Sequence, residues 1–206
     1  MKSSPYSLKI TALGRFILRL PALLFILIGS CHTPDIRTVV METCLGSIVL
    51  EIYPDKAPLT ANNFLRLVEQ GTYTNALLYR TVRLDNQPVN PVKIEVVQGG
   101  LMHDSLINRY DPILHEPTSV TGIRHTDGTL SMARNQPGTA STEFFICIGE
   151  QPELDEGGQR NPDGAGFAAF GRVTSGMEVV RKIQMLQDTA QFLIEPVVIR
   201  QISLEN

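Results

Sequence analysis

The chain has 206 residues, of which 43% are hydrophobic and 19% charged, with a formal net charge of −3. This is enough apolar material for one domain with a sizeable core, and it excludes a disordered chain. The slight acidity, the absence of tryptophan and an aromatic content of only 6% remove the usual means of binding nucleic acid, by phosphate contacts or base stacking.

The first thirty residues have a character of their own. Lys2, Lys9, Arg15 and Arg19 are cationic, and no acid precedes Asp35. The apolar run Leu20–Ile28 follows, too short for a spanning helix but suited to the h-region of a secretory signal. It ends Ile28-Gly29-Ser30-Cys31, which resembles a bacterial lipobox, so residues 1–30 read as a lipoprotein signal peptide and Cys31 as the lipidated residue. The plainer alternative is an ordinary signal with a chance cysteine. Small residues directly before a cysteine at the end of the run favour the lipobox. Residues 31–36 are then a tether, and 37–206 the exported domain. Cys44 and Cys147 are too few and too far apart to form a disulfide framework, and no disulfide is expected.

Arg37–Thr43 and Ser47–Tyr53 are β-rich runs around a Cys-Leu-Gly turn, a hairpin signal. Ala57, Ala61, Phe64, Leu65 and Val68 recur at helical spacing, with Pro58 in the first turn and Gly71 as the stop. Leu77–Val82 and Ile94–Gln98 read as strands, separated by the loop Arg83–Lys93. Residues 99–126 are irregular. Thr129–Ala133, Phe144–Ile148 and Phe170–Val173 are short strands, and Glu150–Gly166 is a long loop. Met177–Leu186 is the second helix, and Pro196–Leu204 the closing strand. Many short strands with two helices predict a mainly β, closed or nearly closed architecture.

Common catalytic patterns are weak. The four histidines lack metal-ligand spacing, so no metal is expected. His125, Asp127 and Ser131 lie too close in one segment to read as a triad, and no Gly-x-Ser-x-Gly elbow accompanies them. Gly164-Ala165-Gly166 lacks the spacing and context of a phosphate loop. Scattered acids such as Glu95, Glu143 and Glu153 have no fixed separation that would mark a glycosidase pair.

A different constellation is more specific. In order along the chain stand Leu78-Tyr79-Arg80, Gln98-Gly99-Gly100, Leu130-Ser131-Met132-Ala133-Arg134, Thr142-Glu143-Phe144-Phe145-Ile146 and the closing Phe170–Val180 segment. Together, over about residues 38–204, they resemble the cyclophilins, prolyl cis/trans isomerases. The resemblance implies a closed eight-stranded antiparallel β-barrel capped by two α-helices. It implies Arg80 as the catalytic arginine and Gln98 as the group that bonds the substrate carbonyl. Phe145, Leu154, Phe167 and Val96 are implied to hold the proline ring, with Met132, Ala133, Arg134 and Glu143 completing the substrate site. No cofactor is implied.

The chemistry fits those residue types. Partial double-bond character gives the X–Pro amide a rotation barrier of about 18–20 kcal/mol, and unaided isomerisation takes tens to hundreds of seconds. A fixed guanidinium aimed at the amide nitrogen favours the twisted state, in which the lone pair is localised there. An apolar slot holds the ring away from water.

The chain also departs from the pattern. Glutamate replaces glutamine at 143, Glu153 stands where many members carry tryptophan, Phe167 replaces a histidine, and Arg134 replaces an asparagine. A Glu143–Arg80 pair would either orient or neutralise the guanidinium. The expected function is isomerisation of X–Pro bonds in exported proteins during folding, by a monomer held through its N-terminal lipid to a membrane of the bacterial cell envelope, facing the periplasm or exterior. The alternative, prompted by the acids, is a proline-peptide-binding chaperone module with little isomerase activity.

Overall fold

Alternation of apolar and polar residues builds the sheet. In β1 (Arg37–Thr43) and β2 (Gly46–Ile52), Val39, Met41, Ile48, Leu50 and Ile52 share one face and are fully buried, while the residues between them lie toward solvent. The computed structural model describes Met1 and residues 33–205; apart from Met1, the expected signal segment, with Cys31 after it, lies outside them.

Further strands are β3 (Leu77–Val82), β4 (Val96–Gly100), β5 (Thr129–Met132), β6 (Phe144–Cys147), β7 (Ala168–Ser175), β8 (Asp188–Thr189) and β9 (Phe192–Leu204). Antiparallel pairing runs β1-β2-β7-β5-β6-β4-β3-β9, and β9 returns to β1, so eight strands close into a barrel with no open edge. The two-residue β8 pairs with β9 outside this ring. The expected eight-stranded barrel is therefore present.

Two longer helices, α1 (Pro58–Glu69) and α4 (Met177–Gln184), contribute Phe64, Leu67, Val180 and Ile183 to the core. Phe64 meets Phe144 edge-on at 5.7 Å and Phe170 at 5.1 Å between ring centres. The segment expected to be irregular holds two single-turn helices, α2 (Asp104–Ile107) and α3 (Thr118–Thr121), and Pro152–Leu154 forms a 3₁₀ turn. Four residues are too few to show a helical period in sequence.

Several strand boundaries differ from expectation, and for β4 and β9 the physical reason is plain. β4 begins at Val96 rather than Ile94 and runs through both glycines, which ordinarily read as breakers. β9 begins four residues before Pro196. Proline offers no N–H to a ladder, and the β3–β9 register jumps from Leu78↔Val197 to Arg80↔Phe192 across that stretch.

The start of α1 lacks a local cap; Ala57 precedes it and makes no side-chain bond. Glu116, from the distant loop before α3, takes that role. Its buried carboxylate accepts the N–H groups of Leu59 (3.1 Å) and Thr60 (2.7 Å) and the Thr60 hydroxyl (2.6 Å). An anion at a helix N-terminus satisfies otherwise unpartnered donors and opposes the helix dipole. Glu116→Ala should lower the unfolding free energy by about 1–2 kcal/mol in urea titration and drop Tm by a few degrees.

Candidate active site

A β-bulge sets the geometry. Between Leu78 and Arg80 the register of β3 shifts by one residue against β4, where Leu78 faces Gly99 and Arg80 faces Gln98. Tyr79 is the extra residue. Strict alternation would place Tyr79 and Arg80 on opposite faces of the barrel wall. The bulge instead brings both to one external cavity of about 760 Å³, while Leu78 stays in the core.

The other walls keep plain alternation. On β4, Val96 and Gln98 face the cavity and Val97 the core; on β6, Phe145 faces the cavity and Phe144 the core. Val82, Ile94, Val96, Phe145, Cys147 and Leu154 form a second apolar cluster, with Ala133 and Phe167 packed on it. Phe145 and Phe167 meet edge-on at 5.3 Å. The cavity thus brings together Arg80, Gln98, Val96, Phe145, Leu154, Phe167, Ala133, Arg134 and Glu143. Met132 is the exception among the expected site residues. On β5 it falls on the inner face, fully buried among core residues, because alternation sends Ser131 and Ala133 to the other side.

The polar groups form one chain of hydrogen bonds. Arg80 Nη1 donates to Gln98 Oε1 (2.8 Å), Gln98 Nε2 to the Tyr79 hydroxyl (2.7 Å), and that hydroxyl to Glu143 Oε2 (2.5 Å). Among the described residues Arg80 makes no ion pair with Glu143 or any other acid. Glu143 is neither an orienting nor a neutralising partner of the guanidinium; Tyr79 and Gln98 stand between them. The second carboxylate oxygen accepts the Leu101 N–H at 2.6 Å. Gly100, at φ 143°, leaves room for this, since a side chain there would collide with the Glu143 carboxylate.

Burial shifts these groups in ways the network explains. It raises the Glu143 pKa, and the hydrogen bonds from Tyr79, Leu101, Met102 and Thr142 only partly offset it. It raises the Tyr79 pKa well above the usual phenol value, reinforced by the Glu143 charge and hydrogen bond, so the phenol remains a donor. Burial also lowers the Arg80 pKa, opposed by Tyr79, but arginine stays charged at neutral pH.

Sequence reasoning missed four features. Gln191, from the β8–β9 turn, accepts from Arg80 Nε (3.1 Å) and Nη2 (2.5 Å). Arg160 reaches the cavity from the 150–166 loop, donating to Gln87 Oε1 and the Val92 carbonyl at 2.8 and 2.6 Å. Arg134 lines the cavity but spends its donors within the protein, on the Gly166 carbonyl and both Asp163 oxygens, and lies 5.0 Å over the Phe167 ring. The Arg134 hydrogen bond holds the Asp163 carboxyl down at about 2. Behind Phe145, the buried His125 stacks on that ring at 6.0 Å, bonds Asp155 Oδ1 (2.8 Å) through one nitrogen and Ser131 Oγ (2.9 Å) through the other. His125 and Ser131 thus share a triad-like line, completed by Asp155 rather than Asp127. Ser131 has no exposed surface, so this line braces the pocket wall and offers no nucleophile. Only residues close in sequence suggested the group; its acid lies thirty residues on.

A closed barrel that sets a guanidinium, with no acid partner among the described residues, beside an apolar wall fits the class of prolyl-bond isomerases. Comparison with known proteins agrees. Residues 38–204 match the family model "Cyclophilin type peptidyl-prolyl cis-trans isomerase/CLD". A peptidyl-prolyl cis-trans isomerase of Acinetobacter baylyi is 32% identical over 160 residues, 76% of this chain and 77% of that protein. Peptidyl-prolyl cis-trans isomerase B of Escherichia coli is 33% identical over 149 residues, 71% of this chain and 83% of its own. The fold is similar to a cyclophilin-type isomerase structure from Cryptosporidium parvum, at a TM-score of 0.64 and 20% identity over 84% of this chain and 99% of that one. The same protein was solved in the presence of the dipeptide Ala-Pro, and matches at a TM-score of 0.62 and 21% identity, over 82% of this chain and 99% of that one. The chain belongs to the cyclophilin-type peptidyl-prolyl cis-trans isomerases.

The raised Glu143 pKa has a measurable consequence. The folded state binds the Glu143 proton more tightly than the unfolded one. This contribution to stability is full below the ordinary carboxylate pKa of about 4.3 and is lost as pH rises through the folded value. In urea titrations from pH 3.5 to 7, the wild-type unfolding free energy should fall relative to Glu143→Gln as pH rises. A constant difference across that range would contradict it.

Proposed function

We propose that Arg80 is the catalytic group of this isomerase. The observation that carries the reading is a partly buried guanidinium with amide carbonyls, and no carboxylate, as its acceptors among the described residues, in one cavity with Phe145, Val96 and Leu154. Of its five N–H groups, three are taken by Gln98 and Gln191, which leaves two for substrate. As the amide twists, its nitrogen gains lone-pair density, and a nearby fixed cation stabilises that state more than the planar one. The proline ring sits against Phe145, Phe167 and Leu154, which keep water from the amide. Gln98 bonds substrate through whichever of its polar atoms the approaching backbone frees from Tyr79 or Arg80.

The acids that prompted a module without activity point elsewhere. Glu143 serves Tyr79 and the Leu101 N–H, Glu95 accepts from Gln184, and Glu153 accepts the Gln159 N–H. None of them pairs with Arg80 among the described residues.

The working place of the enzyme is read from its N-terminal segment. We infer an exported protein, lipidated on Cys31, acting as a monomer on X–Pro bonds of polypeptides folding in the bacterial envelope. The cationic start, short apolar run and Gly29-Ser30-Cys31 support this.

Two measurements test the proposal. In a protease-coupled assay on an X–Pro peptide, Arg80→Ala should lower kcat/KM by about 10²–10³-fold, as expected for loss of one aimed electrostatic group, while Arg80→Lys retains part of the rate. Unchanged activity in Arg80→Ala would sink the assignment. Metabolic labelling with a fatty acid should mark the wild type and not Cys31→Ser; label retained in the variant would place lipid elsewhere.

A further inference from the structure

The loop Arg83–Lys93 and the β8–β9 turn lie together beside the cavity. Arg83 Nη2 pairs with Asp188 Oδ1 at 2.5 Å, and Arg83 Nη1 also caps the Gln184 carbonyl that ends α4. Asn86 Nδ2 donates to the other Asp188 oxygen at 3.2 Å, and that oxygen accepts the Gln191 N–H at 3.0 Å. The Gln191 carbonyl in turn accepts the Thr81 N–H at 2.8 Å, one residue beyond Arg80. The side chain is held as firmly. Gln191 Nε2 donates to the Asn86 carbonyl at 3.2 Å, so the amide has one orientation open to it, with Oε1 toward Arg80.

The turn is not relaxed. Ala190 and Gln191 have φ 51° and 75°, a left-handed region that residues with side chains avoid, in two successive positions. Asp188, Arg83 and Asn86 hold that backbone in place. The outcome is a neutral oxygen that accepts two adjacent N–H groups of one guanidinium, while Gln98 accepts a third from the other side. A guanidinium gripped at Nε, Nη1 and Nη2 has a fixed plane. A carboxylate at the same place would fix it too but would cancel the charge that the twisted amide requires.

We propose that Gln191 is the positioning residue for Arg80, and that the Arg83–Asp188–Asn86 cluster exists to hold it. The proposal rests on the catalytic reading of Arg80. The loop Arg83–Lys93, on this account, is a support of the active site, acting through the turn it clamps. Because the amide oxygen works on the cation and not on the proline slot, its removal changes turnover and leaves substrate binding alone.

The test is steady-state isomerase kinetics on an X–Pro peptide, with Tm measured for every variant. Gln191→Ala and Asp188→Asn should each lower kcat ~10-fold with KM within about twofold of wild type, the split expected when a reacting group is misaimed rather than a pocket damaged. Gln191→Asn guards against misfolding. Asparagine tolerates positive φ better, so this variant should melt at or above the wild-type temperature, yet its carbonyl is drawn back by one methylene and kcat should still fall. Gln191→Glu keeps reach and acceptor but adds negative charge, and should also lose kcat. Wild-type kcat in Gln191→Asn and Gln191→Glu, with Arg80→Ala inactive, would overturn the positioning role and leave the catalytic arginine standing. A rise in KM without a fall in kcat would overturn it equally. Full activity in Arg80→Ala would remove both, since nothing would remain to be aimed.

Discussion

A cation held out of water without a counter-ion is costly, and much of this site is arranged around sustaining one. Arg80 is partly buried, and among the described residues its acceptors are two glutamine carbonyls. Neutral acceptors recover part of the lost hydration and leave the charge in force. Glu143 could have ended that state by direct pairing. Tyr79, lifted into the cavity by the bulge in β3, instead intercepts the carboxylate and passes only a hydrogen bond onward through Gln98. Substituting glutamate for the family's glutamine at this position is compatible with the chemistry because a protonated phenol lies in between.

The apolar half of the site depends on a different constraint, the period of two. Core and pocket share the same strands, and each successive residue changes sides: Val96, Val97, Gln98 on β4 and Phe144, Phe145, Ile146 on β6. The barrel wall is therefore one residue thick between the core and the proline slot. Phe145 is stiffened from behind by the His125 ring, whose own direction is set by Asp155 and Ser131. Burial opposes ionisation of Asp155, yet hydrogen bonds from the His125 side chain and backbone, with the nearby Arg124 cation, hold its pKa below the usual value. Rigidity at the slot is thus built from polar groups that never meet the substrate.

Much of this was legible in the sequence, and the remainder was hidden for identifiable reasons. The strands, the two longer helices and the pocket residues on β3, β4 and β6 follow from local periodicity and a few motifs, which act over short spans. Met132 was misplaced because a motif names residues without assigning their face; only the strand register separates it from Ala133. Gln191, Arg160, Asp155 and Glu116 were not legible. Each works on residues between thirty and more than a hundred positions away, and no local pattern encodes a partner at that distance. The Tyr79 bulge was equally silent, since an extra residue in one strand is defined only against its neighbours.

Closure of the barrel joins β1 to β9, and the Glu205 N–H still bonds the Thr38 carbonyl at 2.9 Å beyond the last ladder pair. The two ends of the domain are therefore neighbours, and its first strand is flanked on both sides. The same adjacency would let a short linker join the ends, with new termini cut elsewhere, leaving the order of strands around the ring unchanged.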